Sequence, residues 1–403
     1  MKRKTMIDHS ALITKAAMLT ALLLSMLLAG CGNGNTSSYQ DDYFIMDYND
    51  CFRYNNGELY VDNGQRLHFA DFSSVTDVVI CPKPNCRHID ESCSALGIDD
   101  HTVIVDNNIY YFEDNTYYEG DKPTSSFNVY KAEIDGTGRL KIDTVDGVTV
   151  FSNYSSAFGK GVLYFGGINL YPDDKPAGVC ETYLCGYDFN SKKLVVNELL
   201  CDGYTGTLFF CGELDGELYF ILSYQAEKAD YLDLDTDAAI KHNLTEVRRV
   251  SKYEYKKLNL EAHEITDWEL PEKIVSAHKK RAADPESLVL PIHAQIKEGA
   301  MIYSDSVDTF IVNPSGKEIF IKGYDGNDKA VVNGYIFDIL STGDCKARRL
   351  SDGKEVSVTV DEENVAAGYV VSYLDGKYII RHFDFDLQQY LYMAVDGDEL
   401  IKK

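Results

Sequence analysis

A short phrase recurs six times along this chain: a glycine or asparagine turn followed at once by a strand of apolar and aromatic residues. The first four copies stand roughly 50 to 55 residues apart, and the last two intervals are roughly 75 to 85 residues. One such unit is too small to bury both of its faces, so each unit must pack against its neighbours. The six copies begin at Gly57, Asn108, Gly161, Gly216, Gly299 and Gly376.

Within each unit, a second recurring phrase follows the first. It is a strand with alternating aromatic residues that ends at Asp, Asn or Gly. Alternation with a period of two, bounded by such turns, is typical of antiparallel strands. The 29 tyrosines and 18 phenylalanines also favour β-structure. We therefore predict an all-β fold, a six-bladed β-propeller. A seven-bladed ring is the alternative, because the long fourth and fifth intervals could hide a blade. The second phrase begins at Leu67, Val129, Leu184, Tyr255, Tyr335 and Leu391.

The paired phrases resemble the blades of six-bladed propellers of the TolB or YWTD type, across nearly all of residues 42–403. This resemblance implies an architecture and no particular activity. Two polar segments interrupt the repeats, an acidic one at 226–250 that ends in a short helix and a partly helical one at 273–293. Insertions of this kind are expected on a face of the ring, where binding sites usually lie.

The first thirty residues predict a secretory signal. Basic residues at positions 2–4 precede an apolar run over 16–28, which is shorter than the ~20 residues that a membrane-spanning helix needs. The run ends in Leu28, Ala29, Gly30 and Cys31, which resemble the lipobox of bacterial lipoproteins. That resemblance implies cleavage before Cys31 and lipidation of its thiol. We predict a signal peptide over 1–30, a lipidated cysteine and flexible tether over 31–41, and a propeller domain over 42–403, on the outer face of the cytoplasmic membrane.

The densest chemistry lies in the segment that contains Cys81, Cys86, His88 and Cys93. Three thiols and an imidazole suffice for a closed tetrahedral zinc site. Outside the cell, cysteines also pair as disulfides. A disulfide between two of the three thiols, a zinc site and free thiols are all open interpretations. The spacing Cys-Pro-x3-Cys-x-His-x4-Cys resembles a signature of lipid-anchored propellers of Gram-positive bacteria, a family without an assigned activity.

Six further cysteines are spread over the predicted domain. With Cys31 lipidated, nine thiols remain in the mature chain, so at least one stays unpaired. Two pairs are close enough in sequence to be hairpin disulfides, although isolated cysteines on buried strands also serve as small apolar residues. These pairs are Cys180 with Cys185 and Cys201 with Cys211.

The formal net charge of −25 disfavours nucleic-acid binding, because such a surface repels phosphate. The sequence contains no Gly-x-Ser-x-Gly elbow, no Walker loop and no dinucleotide fingerprint. No residue is assigned a catalytic role. We therefore predict a non-catalytic propeller that binds a protein or a glycan and is held on the membrane by its lipid. The alternatives are a propeller-type glycan hydrolase or lyase and a structural cell-surface protein.

Overall fold

The computed structural model describes residues 44–401 with internal gaps. The gaps are 46–51, 55, 63–64, 89–92, 97–101, 120–121, 151–154, 173–174, 177, 205, 233–236, 283–290, 328, 342, 361–367 and 385–388. The predicted signal peptide, the tether, the lipobox with Cys31, and Cys51 lie outside the described residues.

The described residues form seven antiparallel sheets of three or more strands, which follow one another along the chain, and one separate two-stranded sheet. The short strand β1 (Phe44–Ile45) precedes blade 1, which consists of β2 (Phe52–Tyr54), β3 (Gly57–Val61), β4 (Leu67–Asp71) and β5 (Thr76–Val79). Blade 2 consists of β6 (Thr102–Val105), β7 (Asn108–Asp114), β10 (Ser126–Glu133) and β11 (Leu140–Asp146), with a hairpin of β8 (Tyr117–Glu119) and β9 (Lys122–Thr124) inside it. Blade 3 consists of β13 (Ala157–Gly159), β14 (Val162–Asn169), β15 (Cys180–Asp188) and β16 (Lys193–Gly203). It also receives β1 beside β13 and β12 (Thr149–Val150) beside β14.

The second half of the chain repeats this four-strand pattern until the last blade. Blade 4 consists of β17 (Gly206–Leu214), β18 (Glu217–Gln225), β19 (Ser251–Asn259) and β20 (Ile265–Asp267). Blade 5 consists of β21 (His293–Lys297), β22 (Ala300–Ser304), β23 (Thr309–Val312) and β24 (Glu318–Ile321). Blade 6 consists of β25 (Ala330–Val332), β26 (Tyr335–Phe337), β27 (Gly343–Arg349) and β28 (Glu355–Val360). Blade 7 has three described strands, β29 (Tyr369–Leu374), β30 (Lys377–Asp384) and β31 (Gln389–Asp396).

Three helices lie between or after these strands. Helix α1 (Asp237–Val250) connects β18 to β19, α2 (Glu272–Ala282) lies between β20 and β21, and α3 (Gly397–Leu400) follows β31. The first two helices fall in or across the segments 226–250 and 273–293. No helix among the described residues is long and apolar enough to span a membrane.

The recurring phrase is a tight turn between the first two strands of a blade. In blades 2 to 7 the two turn residues both have φ between +47° and +83°. Two-residue turns of this kind match the right-handed twist of the flanking strands, and they require residues that tolerate positive φ. Asn, Asp and Gly tolerate this conformation best, which explains their recurrence. The turns are Asp106-Asn107, Lys160-Gly161, Asp215-Gly216, Glu298-Gly299, Asn333-Gly334 and Asp375-Gly376.

The core lies between neighbouring blades. Phe112 of blade 2 meets Phe165 of blade 3 with ring centroids 5.3 Å apart. Trp268, which follows β20, packs against Tyr219 of blade 4 at 5.0 Å and Tyr303 of blade 5 at 5.6 Å. Each blade therefore buries its faces against adjacent blades, as the small size of the repeat requires.

Side chains close the ring between blade 7 and blade 1. Ala70 and Phe72 of blade 1 form an apolar cluster with Val371 and Ile379 of blade 7. Among the described residues, both blades consist of consecutive strands, so no shared strand joins them. The stability of this junction therefore depends on side-chain packing and on the polar contacts described below.

The all-β propeller is confirmed, with the seven blades of the alternative count instead of six. The extra blade is blade 6, which lies in the long interval between Gly299 and Gly376. By sequence, Tyr335 to Ile339 were predicted to form the second strand of the previous unit. In the structure, Tyr335 begins the second strand of a separate blade, after its own Asn333-Gly334 turn.

Candidate functional site

Four potential metal ligands converge in the loop that leaves blade 1 after β5. Each of Cys81, Cys86, His88 and Cys93 offers one ligand atom, and these four atoms all lie within 4.8 Å of one another. The Nδ1 atom of His88 is 3.2 Å from the Sγ atom of Cys93. The Cys93 side chain is buried and the other three are half-buried. The loop therefore gathers three sulfur atoms and one nitrogen atom around one point.

Tight backbone turns bring these side chains together. Asn85 and His88 have φ values of 59° and 53°, in the left-handed region that asparagine and histidine enter more readily than most residues. The Cys86 N–H donates to the Lys83 carbonyl at 3.3 Å, which closes a turn between Cys81 and Cys86. Pro82 and Pro84 restrict the same segment, and this restriction lowers the entropy lost when the loop orders.

Both ends of this loop are held by the backbone of one residue, Leu67, at the start of β4. The Ile80 N–H donates to the Leu67 carbonyl at 2.9 Å, and the Leu67 N–H donates to the Ala95 carbonyl at 2.9 Å. Arg66 also forms an isolated β-bridge with Leu96. The cysteine loop is therefore joined directly to the β3–β4 connection of blade 1.

Burial and hydrogen bonding shift the pKa values of three of the four potential ligands. Burial, followed by the charges of Arg66 and His68, lowers the pKa of His88, which favours the neutral imidazole that binds metals. Burial raises the pKa of Cys93 to about 11. Burial also opposes ionisation of Cys81, but hydrogen bonds led by the Lys83 N–H bring the pKa of that thiol below its usual value.

The donor set and its dimensions fit zinc. Thiolates bound to tetrahedral zinc at ~2.3 Å lie roughly 3.8 Å from one another, a spacing compatible with the limit of 4.8 Å found here. Three cysteines and one histidine complete a four-coordinate shell, which leaves no position for water or substrate. A zinc ion held by these residues would therefore be structural, and it would fix the loop against β4.

The eight described cysteines are free in the structure, including the three in this loop. The two hairpin disulfides suggested by sequence proximity are not formed. Cys180 and Cys185 lie five residues apart on β15, so their side chains leave opposite faces of the strand. Cys201 lies on β16 of blade 3 and Cys211 on β17 of blade 4. Proximity in sequence did not show that the first pair lies on opposite strand faces or that the second pair lies on different blades.

A groove at the junction of blades 1 and 7 was not anticipated from the sequence. Its volume is about 390 Å³, and its polar lining comes from His68 and Asp77 of blade 1 and His382 and Gln389 of blade 7. These residues are about three hundred positions apart in sequence. A ring fold makes the first and last blades neighbours, but only strand register decides which side chains meet there.

A hydrogen-bonded network holds the blade 1 side of this groove. The His68 ring lies between two carboxylates, with Nε2 3.2 Å from Asp62 Oδ2 and Nδ1 3.0 Å from Asp77 Oδ2. The Tyr60 hydroxyl donates to Asp77 Oδ2 at 2.7 Å, and Arg66 Nε donates to Asp62 Oδ2 at 2.6 Å. The same β3–β4 connection thus carries both this network and the contacts to the cysteine loop.

A buried ion pair crosses the same junction. Arg381 Nη1 of β30 is 3.1 Å from Glu58 Oε1 of β3, and each side chain is only 2 % exposed. The Tyr392 hydroxyl donates to the same Glu58 oxygen at 2.8 Å. These contacts cross between the two ends of the domain, so they fix how blade 7 sits on blade 1.

No protein-family model and no curated protein matches the chain. Among solved structures, an ulvan lyase of polysaccharide lyase family PL25 is similar with a TM-score of 0.45 and 8 % identity, over 89 % of this chain and 94 % of that one. An oligogalacturonate lyase in complex with manganese is similar with a TM-score of 0.37 and 11 % identity, over 82 % of each chain. An acylaminoacyl peptidase from Pyrococcus horikoshii has a TM-score of 0.34 and 11 % identity, over 72 % of this chain and 44 % of that one. We draw no function for this chain from likenesses at these TM-scores.

Proposed function

We propose that this chain is a non-catalytic binding propeller in which Cys81, Cys86, His88 and Cys93 hold a structural zinc ion. The observation that carries the zinc proposal is the convergence of their four ligand atoms within 4.8 Å of one another. A bound zinc ion would cross-link the four side chains of the loop, and no coordination position would remain for water or substrate. Its role would be to order the loop that packs on the β3–β4 connection of blade 1.

The polar groups of blade 1 support a binding role over a catalytic one. Of the two carboxylates beside His68, Asp62 is engaged by Arg66, and one oxygen of Asp77, Oδ2, accepts from the Tyr60 hydroxyl. Glu58 accepts from Arg381 and Tyr392. A glycosidase requires two carboxylates facing one scissile bond across a substrate-sized gap. The described contacts of these carboxylates fix side-chain positions instead, which is what a preformed binding surface requires.

Zinc analysis of the purified protein tests this proposal. We expect about one zinc ion per chain in the wild type and almost none in Cys86→Ser, because a Cys₃His shell loses a ligand that serine does not replace. Cys201→Ala, at a half-buried thiol outside the cluster, is the matched control and should retain its zinc. A metal-free wild type with few free thiols, under denaturing and non-reducing conditions, would make the loop a disulfide-bonded segment instead.

We further propose that the domain is displayed on the outer face of the cytoplasmic membrane by a lipid on Cys31. The support is the Leu28-Ala29-Gly30-Cys31 quartet after a short apolar run. Two acyl chains on one cysteine suffice for stable anchoring. Cys31→Ser is therefore expected to abolish incorporation of labelled fatty acid and to move the protein out of the membrane fraction. Unchanged labelling of that variant would contradict the anchor.

A further inference from the structure

The groove between blades 1 and 7 has the volume of a small-molecule site and a mixed polar and apolar lining. Its volume of about 390 Å³ falls within the ~300–1,000 Å³ typical of such sites. Its apolar lining comes from Val75, Val79, Leu391 and Tyr392, alongside the imidazole, amide and carboxyl groups described above. A ligand with both C–H surfaces and hydroxyl groups fits this combination.

Two residues of the groove lining each carry a buried polar atom that has no hydrogen-bond partner among the described residues. These atoms are Oδ1 of Asp77 and Nδ1 of His382. A buried polar group without a partner is costly, and such groups in a native structure require an explanation. Asp77 Oδ1 needs a donor, whereas an imidazole nitrogen can donate or accept depending on its tautomer. A hydroxyl group can do both, so hydroxyl groups on a ligand can pair with both kinds of atom.

The side chains that would meet this ligand are held in place before it binds. Asp77 is fixed by Tyr60 and His68, and Tyr392 is fixed by its bond to Glu58. Val75, at the β4–β5 turn, also lines the groove with a φ of 54°, a strained conformation for a β-branched residue. Residues in such conformations cluster at ligand sites. Side chains held in advance reduce the entropy that binding must overcome.

The charge of the groove selects against an anionic ligand. Its lining includes the carboxylate of Asp77 and no lysine or arginine. The neighbouring Arg66 and Arg381 are paired with Asp62 and Glu58. A phosphate or a uronate would approach Asp77 with no free cation among these groups to offset the repulsion. We propose that the groove binds an uncharged saccharide, whose hydroxyl groups pair with Asp77 Oδ1 and His382 Nδ1.

A glycan array that carries both uncharged and uronate-containing oligosaccharides tests this proposal with the purified full chain. The uncharged oligosaccharide with the strongest signal is then titrated by calorimetry. We expect His382→Ala and Asp77→Ala to weaken its binding about tenfold or more, because each removes a hydrogen bond in a desolvated site. Gln389→Ala, at a half-buried position of the same groove, should also weaken binding, by a smaller factor. His263→Ala, at an exposed turn after β19, is the matched control and should bind like the wild type.

Three outcomes would overturn the proposal: no uncharged oligosaccharide bound, a preference for uronates, or affinities unchanged by both His382→Ala and Gln389→Ala. Zinc content and melting temperature are measured on the same variants. Because the groove residues are not zinc ligands, a wild type without zinc that still binds the saccharide would reject the metal centre alone. A wild type with zinc that binds no saccharide would reject the groove alone.

Discussion

Replacing Arg381 by methionine is expected to lower the free energy of unfolding by about 3–5 kcal/mol, because it leaves Glu58 buried without its cation. Both side chains are 2 % exposed, so water cannot reach the abandoned carboxylate without local opening. The pair joins β30 to β3, and the described residues show no shared strand across this junction. Chemical denaturation followed by far-UV circular dichroism measures the loss.

Two further variants separate the buried charge from the loss of packing. In the double variant Arg381→Met/Glu58→Gln, no charge remains buried, and the amide oxygen still accepts from Tyr392. We expect it to be more stable than Arg381→Met alone. Arg249→Met on helix α1 removes an arginine whose side chain is 47 % exposed, and it should unfold at nearly the wild-type denaturant concentration. Equal stability of Arg381→Met and the wild type would show that the pair does not hold the junction.

Removal of the proposed zinc ion is the second change with a large expected effect. A ligand that binds only the folded state stabilises it by about 4 kcal/mol when its free concentration is about 1,000 times its dissociation constant. With thiols kept reduced, a strong chelator should therefore lower the melting temperature of the wild type, and added zinc should restore it. Cys86→Ser should already melt at the lower temperature and should respond to neither treatment.

The controls for this experiment lie within the same chain. Cys201→Ala keeps all four proposed ligands and should respond to chelator like the wild type. If the melting temperature of the wild type were insensitive to chelator and to zinc, the loop would not be held by metal. The Arg381 and chelator experiments are independent, because the ion pair and the loop contact different strands of blade 1.

The blade pattern could be read from the sequence wherever the turn and the strand were both long enough to recognise. The six-blade count left out blade 6, and the seven-bladed alternative placed it only in one of two long intervals, although Asn333-Gly334 is a strong hairpin signal. Its second strand, β26, has only three residues. The two long intervals have similar lengths, but one contains helices α1 and α2 and the other contains a blade. Interval length alone therefore could not distinguish an insertion from a repeat.

The cysteine loop could be predicted from the sequence, whereas the groove could not. The cysteine loop spans thirteen residues, so spacing alone limits how far apart Cys81, Cys86, His88 and Cys93 can lie. The groove joins His68 and Asp77 to His382 and Gln389, and nothing local marks those residues as partners. Ring closure makes their blades neighbours. Their meeting also depends on the seven-bladed count and on the register of β30 with β31, which are properties of the assembled ring.

X-ray absorption at the zinc edge of the purified wild-type protein tests the central claim most directly, since it reports the atoms bound to the metal. We predict a four-coordinate shell of three sulfur atoms at ~2.3 Å and one nitrogen atom at ~2.0–2.1 Å. Cys201→Ala, which keeps all four proposed ligands, should give the same spectrum. A shell of oxygen atoms, or no zinc in the purified protein, would contradict a Cys₃His centre in this propeller.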